Sequence, residues 1–550
     1  MAHRRMNMHR QTSSAPADSL TASEQASFWA PLRHRLFVGL WLACAIANLA
    51  IWMQTVGAAW IMTQLTASPL MVSLVQTAIT LPVFLFGLPG GVLADRMDPR
   101  RLLLVTQSAM LVASAALCLL AWGDLLQAWS LLLFTFILGS GSALGMAAWM
   151  TTLVGVIPRE QVPAAVSLCG ISINATRALG PALAGALIVW WSTASVFLAI
   201  TLCMVAVIAF IFVRLPASAR TEGLPPETLT GGMRSGLRYI RHSAVLSSAL
   251  KQVFVFTSCA SALWALLPLV AKDELGMDAG GYGLLMAFMG AGAVLAAFGL
   301  TSVYQRFPLR RLIAVGAAAF ATATLAAALS HSQAVVCAML VLAGMGWMAV
   351  NATISTVVQT YAANWVRARV ASVYLLVLMG SMALGGALWG VLAQYLGLGN
   401  SLLLSASSIL LGLLLTRRGE IVMGREADFA DAQQTDKLVL AGEVAHDDGP
   451  VCIEVSYRVA AAERDAFLHA VYAIGQTRRR NGARNWRLYR NLEEADHYSE
   501  RFIVESWLDY LRQRGRLTQN DEAQELALMR FRDGRREIKR YIYQAPVKQV

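Results

Sequence analysis

The chain has 550 residues, of which 57% are hydrophobic and only 14% are charged, and this composition excludes an ordinary soluble protein. The net charge is +12, but basic and acidic residues nearly balance after residue 418. The excess therefore lies in the apolar part, where membrane topology accounts for it and nucleic acid is not needed. The seven cysteines have neither disulfide nor zinc-ligand spacing, and no metal site, cofactor or catalytic residue is indicated.

The first 34 residues are polar and lack a short apolar core followed by a cleavage site, so we predict a disordered cytoplasmic lead. Twelve apolar runs follow, and each is predicted to be a membrane-spanning helix because lipid offers no partners to open backbone. The predicted spans cover residues 36–62, 70–94, 102–122, 128–153, 163–190, 195–213, 245–271, 280–303, 311–330, 334–358, 368–396 and 400–416.

The gaps between the spans alternate between arginine-bearing and arginine-free segments. Residues 64–70 and 123–127 contain no Lys or Arg, whereas the gap between spans two and three carries Arg96, Arg100 and Arg101. Because cations stay on the cytoplasmic side during insertion, both termini are predicted to be cytoplasmic.

The longest internal polar gap, residues 214–243, separates six spans from six. It ends in a segment where Leu237 and Tyr239 are interleaved with arginines, a pattern typical of an amphipathic helix on the inner leaflet. We therefore predict two six-helix bundles, residues 35–213 and 244–418, joined by this helix.

Two echoes indicate that the bundles repeat one unit. Residues 178–185 match residues 383–390 at six of eight positions, which places span five opposite span eleven. The same spacing of three arginines follows spans two and eight: Arg96, Arg100 and Arg101, then Arg306, Arg310 and Arg311. A duplicated six-helix unit is the architecture of alternating-access transporters, with the substrate site between the halves near the midplane.

Span two closes with a glycine, an acid and a basic cluster, namely Gly91, Asp95, Arg96, Arg100 and Arg101. This segment resembles the signature of the major facilitator superfamily between its second and third helices, from which Asp98 and Pro99 depart. The resemblance implies that Gly91 lets span two approach the other half. It also implies that Asp95 faces the amino end of span eleven as a latch on the cytoplasmic side. The alternative is that these are topogenic charges at a helix end.

Span five contains Gly180, Pro181 and Gly185, which resemble the glycine–proline signature of exporters in the same superfamily. Proline removes one backbone hydrogen bond and glycine permits close packing, so this segment is predicted to seal or bend. An ordinary kink is the alternative. The matching small residues of span eleven are Gly385, Gly386 and Gly390.

Arg177 is the only charge deep within a predicted span. An arginine at the midplane is costly, so it is predicted to face a wet substrate cavity; the structural alternative pins it to helix-end carbonyls. The polar residues expected around that cavity are Asn174, Asn48, Gln54, Gln76 and Asn351. If protons drive transport, the titrating carboxylate has to come from positions nearer the span ends: Asp95, Asp124, Asp273 or Glu274.

After a polar linker, residues 419–449, the order strand, helix, strand, strand, helix, strand over residues 450–545 predicts a ferredoxin-like cytoplasmic domain. Residues 504–507, which enter a helix, resemble the modules related to antibiotic-biosynthesis monooxygenases. Those enzymes often carry a histidine within two turns, where this chain has Arg512, Gln513 and Arg514. A non-catalytic dimerising or regulatory module is therefore expected, with a homodimer through this domain as one outcome.

Twelve spans followed by this tail resemble the bacterial secretion-effector branch of the superfamily, which includes relatives of the enterobactin exporter. The resemblance implies a multi-pass transporter of the bacterial inner membrane. It would export a small amphipathic molecule, such as a drug, siderophore or metabolite, with a proton gradient as the expected driving force. Two alternatives remain open: an importer of the same fold, and a membrane-tethered enzyme that acts through its tail.

Overall fold

The computed structural model describes residues 29–215, 229–417, 419–424, 442, 444–445, 447–531 and 538–543. Most of the predicted lead and of the predicted 419–449 linker lies outside these ranges. Twelve helices of the described part are long and apolar enough to cross a membrane, which confirms the predicted number. The first six are α1 Arg35–Leu65, α2 Pro69–Arg96, α3 Pro99–Trp122, α4 Ala128–Gly155, α5 Val162–Trp190 and α6 Thr193–Arg214.

A shorter helix, α7 Leu229–Arg241, connects the two sets of six. The second six are α8 Ala244–Leu269, α9 Ala279–Arg306, α10 Leu309–Leu329, α11 Gln333–Thr360, α12 Arg367–Leu396 and α13 Leu398–Thr416. A π-helical segment, Val270–Glu274, extends α8. Because the number of spans is even, α1 begins and α13 ends on the same side of the helical unit. We call this the tail side and the opposite one the far side.

Each set of six forms its own bundle, and two seams join the bundles. In the first bundle α2 and α3 pack on α4, and α1 packs on α5 and α6; in the second, α9 and α10 pack on α11, and α8 packs on α12 and α13. The seams between bundles are formed by α2 with α12 and by α5 with α9. The four helices of the seams are the four that the two sequence echoes match, but each seam joins a helix of one matched pair to a helix of the other, so the two seams are equivalent in a duplicated unit.

The connecting helix α7 packs against protein rather than lying free on a leaflet. Tyr239 and Ile240 are buried, while Leu237 is 60% exposed, and the helix contacts α8 and α12. The apolar face predicted for a lipid surface is thus largely covered by the second bundle.

The C-terminal domain is a four-stranded antiparallel sheet with helices packed on it. Its strands are β1 Val451–Arg458, β2 Arg484–Arg490, β3 His497–Val504 and β4 Ile538–Ile542, in the order β2-β3-β1-β4. This is the predicted ferredoxin-like arrangement. Its helices are α14 Arg464–Asn481, α15 Trp507–Gly515 and α16 Gln519–Met529, so two helices instead of the predicted one lie between β3 and β4. The capping box of Thr518 and Asp521 forms at the start of α16.

A buried polar network ties the helices of this domain to its sheet. The Glu500 carboxylate is fully buried and accepts hydrogen bonds from the Tyr457 hydroxyl at 2.7 Å and from Trp486 Nε1 at 2.8 Å. Arg478 pairs with Glu525 at 2.6 Å. Burial alone would lower the pKa of Arg478, but Glu525 and Glu500 outweigh it and raise that pKa. These buried groups therefore compensate one another and hold the domain together.

Candidate functional site

The far side of the interface between the bundles is closed. Lys272, in the π-helical segment, donates from Nζ to the backbone oxygen of Thr63 at the end of α1. The rings of Trp60 and Tyr282 stack next to this contact, with their centroids 6.0 Å apart. A cation on a carbonyl and a stacked aromatic pair thus bridge the two bundles at this end.

Glycines bring the two seams into backbone contact. A Cβ at Gly185 of α5 would lie 2.8 Å from the backbone oxygen of Ala279 in α9, too close for a real side chain. On the other seam, the space next to Gly390 of α12 is occupied by Ser73 of α2, and the Thr77 hydroxyl donates to the backbone oxygen of Ala383 at 2.9 Å. The small residues of the two echoed segments therefore permit the closest approach of the bundles.

The other predicted packing residues divide between seams and bundles. Gly386 of α12 faces Thr77 across the seam, and the backbone oxygen of Pro181 lies next to Gly283 of α9. Gly180 instead packs on Trp52 within the first bundle, and Gly385 packs on α8 within the second. Each echoed segment thus makes contacts both inside its bundle and between the bundles.

The tail side is open. A Cβ added at Gly91 of α2, at Gly170 of α5 or at Gly299 of α9 would meet no described atom within 4 Å. All three lie in the tail-side parts of their helices, and Gly91 and Gly170 belong to helices of the two seams. The bundles therefore diverge from the closed far side towards the tail side, and the approach predicted for Gly91 is not made in this conformation.

Among the four charged residues of the predicted latch, only Arg100 and Arg101 have described side chains. The side chains of Asp95 and Arg96 lie outside the described residues. Arg100 donates from Nη2 to the backbone oxygen of Phe212 at 2.8 Å and so connects α3 to α6, while Arg101 is exposed. Asp98, which departs from the superfamily signature, caps α3 by accepting from the backbone nitrogen of Arg100 at 3.0 Å.

Arg177 lies in a small cavity at the centre of the interface. Its guanidinium carbon is 5.0 Å from the centroid of the Trp52 ring, a cation–π geometry. The cavity has about 10 Å³ of free space, room for about one water, and is lined by Trp264, Trp347, Met286 and Met289 among others. Within the described residues, neither Arg177 Nε nor Trp264 Nε1 has a hydrogen-bond partner, although both atoms are buried. Two unsatisfied donors thus line one cavity.

The predicted polar neighbours of Arg177 do not gather around it. Asn48, Asn174 and Asn351 each donate from Nδ2 to a backbone oxygen four residues earlier in their own helix. Gln76 lines a second cavity and Gln54 a third.

These three cavities adjoin one another. The cavity at Arg177 shares Trp264 and Met286 with the middle one, which Gln76 and Tyr282 also line. The middle cavity in turn shares Thr55 and Ile79 with the third, which we call the side cavity. A row of cavities therefore runs from the second bundle, through the interface, into the first.

Sequence reasoning missed the aromatic residues of this site and the far-side cation. Trp52, Trp264 and Trp347 surround Arg177. All three lie in the interior of spans, whereas tryptophan is enriched in the interfacial zones. This unusual placement could have identified them as candidates for the site. Lys272 was visible as a lone cation in a far-side gap, but its carbonyl partner comes from a distant part of the chain.

The C-terminal domain docks on the tail side of the second bundle. The guanidinium carbon of Arg480 lies 5.1 Å from the Tyr239 ring of α7, and that of Arg516 lies 4.3 Å from the Trp365 ring, in the loop before α12. Tyr239 and Trp365 pack edge to face at 5.7 Å. Burial raises the pKa of Tyr239. The docked surface therefore touches both the connecting helix and the amino end of α12.

Two bundles of six helices joined by two seams, with cavities between them, define the class of major facilitator transporters. The fold matches a bacterial homologue of the human lysosomal transporter Spinster, solved in an inward-facing and unoccupied conformation, with a TM-score of 0.57 and 16% identity. The match covers 70% of this chain and 96% of that one. The family model for transmembrane secretion effectors matches residues 26–546. The chain belongs to this family.

Two bacterial transporters are similar to this chain in sequence. The uncharacterized MFS-type transporter YfiS of Bacillus subtilis is 29% identical over 191 residues, which is 34% of this chain and 44% of YfiS. The multidrug efflux pump Tap of Mycobacterium tuberculosis is 25% identical over 396 residues, which is 69% of this chain and 92% of Tap. The chain thus spans less than half of YfiS and nearly the whole of Tap.

Proposed function

We propose that this protein is a secondary active transporter that exports small amphipathic molecules across the bacterial inner membrane by alternating access. The arginine-rich gaps lie on the tail side, so the positive-inside rule makes that side cytoplasmic. With this orientation, the conformation described above is open to the cytoplasm and closed to the outside. An exporter loads its substrate in this state.

The proposal is carried by two unsatisfied donors, Arg177 Nε and Trp264 Nε1, which line one cavity. This cavity lies between two bundles that meet on one side only. Buried donors without partners are costly, and a ligand that supplies an acceptor removes that cost. Guanidinium provides a fork of donors that suits a carboxylate or a carbonyl. The space of about one water beside Arg177 admits an acceptor oxygen of the substrate, and a substrate anchored in this way would be released to the outside when the far side opens and the tail side closes.

The walls of the cavities indicate the class of substrate. Tryptophan and methionine dominate the lining next to Arg177, and such surfaces accommodate varied apolar shapes. We infer a substrate with an apolar, partly aromatic body and at least one carbonyl or anionic group. The name of Tap as a multidrug efflux pump agrees with an apolar, adaptable site, and we extend export to this chain on that ground.

Proton coupling is the driving force that we propose. Of the four candidate carboxylates, Glu274 lies 3.3 Å from His331 on the far side, while the side chain of Asp95 is outside the described residues. In the orientation proposed here this pair lies on the outer side, and 74% of the His331 side chain is exposed. We therefore favour Glu274 as the group that exchanges protons with the outside.

For the C-terminal domain we propose a regulatory role. It resembles monooxygenase-related modules in its order of elements, but Glu500, one of its fully buried carboxylates, is engaged by Tyr457 and Trp486. Its contacts with Tyr239 and Trp365 place it where it can restrain the amino end of α12. A homodimer through the exposed part of this domain remains part of the proposal. The alternative is a tethered enzyme. It would require residues 447–543 to catalyse a reaction, which the transport cycle does not need.

Transport in everted membrane vesicles tests the proposal. Vesicles that expose the cytoplasmic face are energised with an acidic interior and offered a panel of amphipathic dyes, drugs and siderophores. Export predicts uptake that depends on the proton gradient and that vesicles without the protein lack. An importer would instead accumulate the same compounds in right-side-out vesicles or intact cells, and that result would overturn the proposed direction.

A further inference from the structure

The side cavity lies mostly inside the first bundle, away from Arg177. It has about 150 Å³ of free space and is lined by residues of α1, α2, α3, α4 and α6. Most of its lining is apolar, including Met110 and Met204. One wall comes from the other bundle, because Met379 of α12 also lines the cavity.

Gln54 supplies an unsatisfied acceptor to this apolar cavity. Its side chain is only 5% exposed and donates from Nε2 to the Thr135 hydroxyl at 3.2 Å. In the described part of the chain, Gln54 Oε1 has no hydrogen-bond partner. A buried amide oxygen left without a donor carries the full cost of its desolvation, which a ligand donor would remove.

The side cavity belongs to the same row of cavities as Arg177. It shares Thr55 and Ile79 with the middle cavity, which lies between the bundles. Met379 precedes Gly380, where an added Cβ would lie 2.6 Å from the Phe84 ring of α2. The wall formed by Met379 therefore sits at the seam, and a rocking motion of the bundles would move it relative to Gln54.

We propose that the side cavity is a second substrate subsite, which takes an aromatic ring or an apolar group of similar size that carries a hydroxyl or amine donor. A cavity of about 150 Å³ holds one benzene ring in a protein engineered to contain it. The donor of the ligand would satisfy Gln54 Oε1 while its apolar part fills the space between the methionines. The inference rests on the proposed transport function, because it makes the side cavity part of the substrate path. The preferred substrate then has an acceptor for Arg177 and a donor-bearing ring for Gln54.

Binding of phenol and toluene to the full-length protein in lipid nanodiscs tests this subsite. Both fit by size, but phenol alone carries the donor. We expect Gln54→Leu to weaken phenol binding by about three- to tenfold, the range of one neutral hydrogen bond, and to leave toluene binding unchanged or tighter. Met379→Trp should block both ligands by filling the cavity.

The matched control is Gln107→Leu. Gln107 is also buried in the first bundle and its Oε1 also lacks a partner among the described residues, but it does not line the side cavity. Phenol binding that is absent, or equally strong in Gln54→Leu and in the wild type, would overturn the subsite. Gln54-dependent phenol binding without any vesicle transport would contradict the proposed function instead, so the two failures are distinguishable.

Discussion

The guanidinium of Arg177 lies over the ring of Trp52, and Gly180 packs against the Cβ of the same tryptophan. Arg177 and Gly180 are neighbours on one face of α5, and a Cβ at Gly180 would lie 2.5 Å from Cβ of Trp52. The glycine therefore lets α1 approach α5 closely enough for the cation–π contact at 5.0 Å. A packing motif and the one deep cation are thus parts of a single arrangement.

Arg177 should be needed for transport rather than for insertion. Lysine keeps the charge but loses the fork of donors, so we expect Arg177→Lys to impair transport and Arg177→Ala to abolish it. Arginine at a helix centre costs about 2.5–3.5 kcal/mol on insertion scales, and its removal should not reduce membrane abundance. Vesicle transport and quantitative immunoblotting measure the two effects. Normal transport by Arg177→Ala, or loss of this variant from the membrane, would instead assign a structural role to Arg177.

The Gly180 contact predicts a sharp difference between two glycines of the first bundle. Gly180→Ala should displace Trp52 and lower transport severalfold, since overpacking a tight contact costs about 1–3 kcal/mol. Gly155→Ala is the matched control, because Gly155 is exposed at the end of α4, a helix outside the two seams, and a Cβ there meets no described atom within 4 Å. Equal activity of the two variants in the vesicle assay would mean that the α1–α5 approach does not matter for the site.

Lys272 should hold the far side closed. Removing its hydrogen bond to the Thr63 carbonyl in Lys272→Met should increase the far-side-open population by about three- to tenfold, because a charged hydrogen bond contributes roughly 1.5–3 kcal/mol before solvent screening. A cysteine placed at Gln76, in the middle cavity, should then react faster with a membrane-impermeant thiol reagent added from the outside. An unchanged labelling rate would show that Lys272 is not part of the closure.

The docking of the C-terminal domain should slow closure of the tail side. A cation–π contact is worth about 0.5–1 kcal/mol at an exposed site, so Arg516→Ser should release Trp365 and raise the transport rate by about two- to fivefold. Arg487→Ser, on an exposed position of β2, serves as the control. If limited proteolysis shows the domain released from the bundle but the transport rate stays the same, docking has no regulatory effect.

The predicted latch belongs to the opposite conformation. If Asp95 stabilises tail-side closure through the amino end of α12, Asp95→Asn should reduce transport while membrane abundance stays near normal, since such a contact is worth about 0.3–1 kcal/mol. Asp98→Asn is a useful comparison, because Asn also caps helices well and should leave transport intact. Equal transport by Asp95→Asn and the wild type would reject the latch.

The spans and the tail could be predicted from the sequence because hydropathy and period-two patterns are local. The seams were partly accessible too, since the echo of residues 178–185 in residues 383–390 matched α5 with α12, which contribute one helix to each seam. The site was less predictable. The expected partners Asn48, Asn174 and Asn351 donate to backbone oxygens of their own helices, whereas Trp52, Trp264 and Trp347 converge on Arg177 through packing between distant helices. No local pattern encodes that convergence.

The docking of the tail was equally hidden. The pattern around Tyr239 predicted a helix with one apolar face, and a leaflet and a protein surface satisfy such a face equally well. The structure buries Tyr239 against Trp365, a residue 126 positions away in sequence. Which surface covers an amphipathic helix depends on the assembled fold rather than on the helix itself.

Distances between spin labels at the two ends of the bundles test alternating access most directly. In a background without the native cysteines, one pair, Gly155→Cys and Arg311→Cys, reports the tail side, and another, Leu125→Cys and Ala334→Cys, reports the far side. We expect Lys272→Met to shorten the tail-side distance and lengthen the far-side distance in the same preparation. Distances that change in the same direction, or that both stay fixed while the protein transports, would contradict an alternating-access exporter.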